Sequence, residues 1–108
     1  MLNSKGVFMN GIEKDAAEAF FNAVLSLKTA EECQAFFKDV CTIKELQDLT
    51  QRLQVAALLS EGRNYQEISR QTSVSSATIS RVNRCLLYGD GGYRTVLERM
   101  EKGEKDNG

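Results

Sequence analysis

No proline interrupts this chain of 108 residues, and apolar residues recur at three- and four-residue spacing through most of it. Proline is the residue least tolerated inside a helix, and that spacing lines one helical face. No stretch sustains the period-two alternation of a half-buried strand. The expected fold class is therefore all-α, and the 42% hydrophobic content is that of a globular chain rather than a disordered one. The length suits one domain over residues 1–108 and not two.

Start and stop signals divide the chain into helices. Residues 13–28, "EKDAAEAFFNAVLSLK", place acids early and a lysine late, as the helix dipole prefers, with Ala17, Phe20, Phe21, Val24 and Leu27 along one side. Thr29 followed by Glu32 forms a capping-box pattern that opens a helix over 30–41, with Cys33, Phe36, Phe37 and Val40 apolar. Thr42 followed by Glu45 repeats it and opens a helix over 43–61, where Ile43, Leu46, Leu49, Leu53 and Ala56 form a stripe. Gly62 stands where a helix C-terminal glycine belongs. Two short helices follow, 65–72 and 76–86, separated by "SVS". After the glycine-rich turn 88–92 comes a last helix over 92–102, with Val96, Leu97 and Met100 on one side.

The longest apolar runs, such as "VAALL" at 55–59, fall far short of the roughly 20 residues that span a bilayer, so no membrane partner is expected. The opening "MLNSKGVFMNG" has no sustained apolar region and reads as no signal peptide. Met9 is a candidate alternative start, because residues 1–8 show no structural pattern. Cys33, Cys41 and Cys85 are odd in number, widely spaced and unaccompanied by histidine, which argues against a metal site and against a disulfide framework. They fit small apolar side chains in a reducing cytoplasm.

Net charge is only −1, but it is sorted along the chain. Residues 1–51 carry five lysines against eight acids, a net −3, whereas residues 52–99 carry seven arginines against four acids, a net +3. Every arginine lies in that second segment and every lysine outside it. Arginine is the residue suited to bidentate contact with phosphates and base edges.

Within the arginine-rich segment, "SVSSATISRVNR" at 73–84 puts small hydroxyl residues at a helix start and arginines along the helix. Ile68, Val74, Ile79 and Val82 supply the inward positions of a helix-turn-helix, and Ser69 and Ser73 are small where the two backbones must approach. The turn position of such a unit favours positive φ and usually takes glycine, so Ser73 departs from the pattern. With the inward positions accounted for, Ser75, Ser76, Ala77, Thr78, Ser80, Arg81 and Arg84 face outward as candidate DNA contacts. Short side chains at the helix tip permit close approach in a major groove about 12 Å wide. Arg63 and Arg70 precede the turn and are candidate phosphate partners.

"LTQRLQVAALLSEG" at 49–62 followed by "YQEISRQTSVSSATISRVNR" at 65–84 resembles the bacterial Trp repressor family. The resemblance covers about residues 13–100 and is strongest from Thr42 to Arg84. It implies a six-helix Trp-repressor-like fold and an intertwined homodimer that binds a two-fold symmetric operator in double-stranded DNA. In that family L-tryptophan is the corepressor. The positions that hold it match Arg81, Arg52 and Thr42, which are therefore the candidate effector-binding residues. The family's glycine after the recognition-helix arginine is Val82 here, a serine further along is Cys85, and the chain is one residue shorter between Gly62 and the motif. These departures predict no tight tryptophan binding and leave a small-molecule effector of other identity open.

Together these observations predict a cytoplasmic, homodimeric DNA-binding transcription regulator of repressor type, without a cofactor. Residues 13–61 form the dimerisation core, 65–86 the DNA-reading unit and 92–102 the closing helix. A helical adaptor that turns the same surface to another protein is the competing class. An enzyme is not expected: the chain has no histidine, no phosphate-cradling glycine loop, and no serine or cysteine beside a suitable base.

Overall fold

The computed structural model describes residues 7–8 and 11–107. It contains a two-residue hairpin, β1 (Val7–Phe8) and β2 (Ile12–Glu13), followed by six helices. These are α1 (Lys14–Leu25), α2 (Ala30–Val40), α3 (Ile43–Ser60), α4 (Tyr65–Thr72), α5 (Ser76–Tyr88) and α6 (Gly92–Asn107). The six-helix, all-α expectation holds. The chain forms two compact units that divide between Thr42 and Ile43, whereas the sequence pattern set α3 with the helices before it.

In the first unit β1 and β2 pair antiparallel, with Val7 opposite Glu13 and Phe8 opposite Ile12. Strands of two residues are too short to show an alternating pattern, which is why residues 7 and 8 carried no signal in the sequence. Residues 1–6 and the candidate start Met9 lie outside the described residues. Glu13 caps α1, its carboxylate accepting the N–H groups of Ala16 at 2.8 Å and Asp15 at 3.1 Å. The helix stops at Leu25, three residues before the expected end, where the Ser26 hydroxyl donates to the Ala23 carbonyl at 2.6 Å. A serine that bonds back onto the preceding turn competes with helix continuation.

Thr29 caps α2 as its spacing predicts, its hydroxyl accepting the Glu32 N–H at 3.0 Å. The Glu32 carboxylate reaches one residue further back than in the usual box and accepts the Lys28 N–H at 2.8 Å. Phe20, Phe21, Phe36 and Phe37 form one ring cluster with centroid separations of 5.4–6.3 Å. Even so, Ala17 is the sole fully buried residue of α1 and α2.

In the second unit α3 packs against α4, α5 and α6. Its core joins Val55, Ala56 and Leu58 of α3 to Ile68 of α4, Val74 of the following turn, and Ile79 and Val82 of α5. Leu59, Tyr65, Tyr93 and Leu97 pack around this cluster. The inward face of α3 is therefore not the whole of the expected stripe: Ile43 is 80% exposed and Leu49 43%. On α6 the inward residues are Tyr93 and Leu97, while Val96 and Met100 face solvent.

Gly62 ends α3 in the left-handed region at φ 88°, with its N–H on the Leu59 carbonyl and the Arg63 N–H on the Leu58 carbonyl. That bond pair is the Schellman closure, which favours glycine because a Cβ is penalised there. Asn64 and Glu67 then cap α4 reciprocally: the Glu67 N–H donates to Asn64 Oδ1 at 2.9 Å and the Asn64 N–H to Glu67 Oε1 at 3.0 Å.

Candidate nucleic-acid interface

The helices α4 and α5 are separated by three residues, Ser73, Val74 and Ser75. All four residues assigned inward by spacing are buried: Ile68, Val74, Ile79 and Val82. Ser73 adopts φ 63° and ψ 17°, the left-handed conformation that the turn requires, although it is not glycine. For a residue with a Cβ this costs about 1–2 kcal/mol. Ser75 caps α5: its hydroxyl oxygen accepts the Thr78 N–H and its O–H donates to Thr78 Oγ1, both at 3.2 Å. The hydroxyls of Ser75 and Thr78 are thus engaged with each other at the helix tip, and Ser76 and Ala77 stand free beside them.

Burying Ile79 and Val82 turns the opposite face of α5 to solvent. Ala77, Ser80, Arg81 and Arg84 are all exposed, and their spacing of three and four residues places them along one stripe. Thr78 sits half-buried at its edge. Arg70 is exposed on α4, where it lines a cleft of about 440 Å³ with Tyr65, Gln66, Ser69 and Ser76. Arg63 lies in the connection after α3 and is close to Glu61, at 3.7 Å. Arg70, Arg81 and Arg84 have no ion pair among the described residues.

The effector candidates are placed less uniformly. Arg52 borders a groove of about 270 Å³ whose α3 wall is Lys44, Asp48, Gln51 and Arg52 and whose other wall is Ser73, Val74, Ser75 and Thr78. Lys44 and Asp48 pair across one turn at 2.9 Å. Arg81 does not line this groove, and Thr42 precedes α3 at the end of the first unit. The contribution of Lys44, Asp48 and Gln51 was missed in the sequence, although their three- and four-residue spacing sets them on one side of α3.

Where Tyr93 packs against the core, burial raises the pKa of its phenol; Cys85 adds to the rise and the Arg52 guanidinium opposes it. All three cysteines are free thiols. Among the described residues no three metal-binding side chains converge, and no helix is long and apolar enough to cross a membrane.

A three-residue turn with a left-handed first residue, four buried contacts and an exposed basic stripe on the second helix define a helix-turn-helix protein. Residues 15–101 match the family described as Trp repressor protein, and the chain belongs to the Trp repressor family. It is 50% identical over 90 residues to YerC of Bacillus subtilis, an uncharacterised protein, covering 83% of this chain and 86% of YerC. The crystal structure of a TrpR-like protein from Eubacterium eligens is similar at a TM-score of 0.82 and 49% identity, over 86% of this chain and 96% of that one. A candidate Trp repressor from Staphylococcus aureus is similar at a TM-score of 0.78 and 45% identity, over 81% of this chain and 87% of that one.

Proposed function

We propose that this protein is a sequence-specific DNA-binding transcription regulator, acting in the cytoplasm as a repressor through a homodimer on a two-fold symmetric operator. The observation that carries the reading is the exposed stripe Ala77–Ser80–Arg81–Arg84, set opposite the buried Ile79 and Val82. In this reading α5 enters the major groove by its N-terminal end. Ser76, Ala77 and the Thr78 methyl approach the bases, while the Ser75 hydroxyl keeps the tip rigid. Arg70 and Arg84 take phosphates, and Arg63 does so on release from Glu61.

A homodimer is supported by the phenylalanine-rich first unit, which leaves much of its aromatic surface uncovered. Val82, 2% exposed, occupies with its own side chain the space that a glycine would leave to an indole. Tryptophan is accordingly not a tight ligand, and Arg81 is free for DNA.

Affinity for duplex DNA measured across a salt series tests this. The logarithm of the binding constant should fall linearly with the logarithm of salt concentration, and Arg70→Ala or Arg84→Ala should each reduce that slope by about 1. Folded protein that binds no duplex at low salt would overturn the reading and favour the adaptor.

A further inference from the structure

The turn between α4 and α5 contains no glycine, and one buried hydroxyl stands beside it. Thr72, the last residue of α4, is 8% exposed and is the one buried polar residue among those described. Its Oγ1 donates to the Ile68 carbonyl at 2.7 Å and accepts the Val74 N–H at 3.2 Å. The residue between them, Ser73, is the one non-glycine residue with positive φ among those described, and its N–H closes on the Ser69 carbonyl at 2.8 Å. The two residues tied by the Thr72 hydroxyl, Ile68 and Val74, both belong to the second unit's core.

These contacts form one device. When the chain enters the left-handed region at Ser73, the next N–H, that of Val74, turns inward and away from water. An unpaired buried donor is costly, and the Thr72 oxygen supplies its acceptor. The same oxygen is fixed in direction because the hydroxyl proton is committed to the Ile68 carbonyl. Residues 72–74 are also where the direction of α5 relative to α4 is decided. We infer that Thr72 is the positioning residue of the helix-turn-helix, its hydroxyl holding the Ser73 turn and thereby the angle at which α5 is presented. The consequence for DNA rests on the reading above; the consequence for the turn does not.

Three variants separate this role from simple packing: Thr72→Val, which keeps the shape and removes the hydroxyl; Thr72→Ser, which keeps the hydroxyl; and the double variant Thr72→Val/Ser73→Gly, which relieves the left-handed strain. The readouts are amide hydrogen exchange at Val74 and affinity for a selected duplex, both taken where circular dichroism shows full folding. Thr72→Val should speed Val74 exchange by about tenfold beyond any change at core amides, and weaken duplex binding by about fivefold to tenfold. Thr72→Ser should match the wild type in both, and the double variant should regain most of the duplex affinity. Wild-type exchange and affinity in Thr72→Val would overturn the inference, as would a Thr72→Ser variant as impaired as Thr72→Val, since that would make the methyl group responsible. A wild-type protein that binds no duplex would overturn the DNA reading alone, and Val74 exchange would still decide the role of Thr72.

Discussion

The two units of this chain solve the problem of burial differently. In the second, Val55, Ala56, Ile68 and Ile79 are completely enclosed by four helices and a turn of the same chain. In the first, four phenylalanines gather into a ring cluster, yet Phe20 remains 36% exposed and Phe21 44%. Large aromatic side chains left open in adjacent positions are characteristic of surfaces that meet a partner. Helices of 12 and 11 residues with one buried alanine between them have little core of their own. The difference separates a second unit with a closed core of its own from a first unit whose aromatic surface stays partly open; under the proposed function that surface is covered by a second copy of the chain.

The contrast is sharpest in the response to truncation. Ile68→Ala or Ile79→Ala should cost about 2–5 kcal/mol in urea denaturation, because each removes a fully buried side chain that its neighbours cannot replace. A loss below about 1 kcal/mol would mean that the second unit is not rigidly packed. Phe20→Ala should act instead through association, weakening self-association by about 2 kcal/mol or more in sedimentation equilibrium. A folded wild-type monomer at micromolar concentration would mean that the first unit needs no second copy.

Smaller effects probe Val82 in the core of the closed unit and Tyr93 packed against it. Calorimetry with millimolar L-tryptophan should show no tight binding to the wild type. Val82→Gly should gain tryptophan affinity by about 1–3 kcal/mol, the overpacking relieved when the branched side chain is removed. Tight binding by the wild-type protein would show that the core around α5 is more open than its packing implies. The smallest effect concerns Tyr93, whose raised pKa comes first from burial. A folded-state pKa above the unfolded value of about 10 gives a contribution that is fully present below that pH and lost as pH rises through the folded value. Stability should therefore fall in that alkaline range, and less so in Tyr93→Phe, when chemical denaturation is followed against pH.

The helix-turn-helix was the most legible part of the sequence because its signals are local. The bounds of α4, the inward set Ile68, Val74, Ile79 and Val82, and the positive φ at position 73 all follow from spacing over about two dozen residues. Where a helix serves more than one surface, the pattern misled. On α3 the apolar positions outnumber those a single face can bury, so Ile43 and Leu49 joined the stripe while Val55 and Leu58, which are buried, did not. The C-terminal ends of α5 and α6 lie beyond those that the periodicity marks. α5 continues to Tyr88, where the Arg94 guanidinium donates to the Leu86 carbonyl at 3.0 Å, and α6 runs on to Asn107. Thr72 escaped notice because a threonine at a helix end is unremarkable until the geometry shows what its hydroxyl holds.

Selection of the 108-residue protein against a random duplex library at low salt asks both units to act together. A dimer built on the first unit and reading DNA with the second should enrich an inverted repeat whose half-sites lie about one helical turn apart. Enrichment of no motif, or of a single half-site without its inverted copy, would contradict the account.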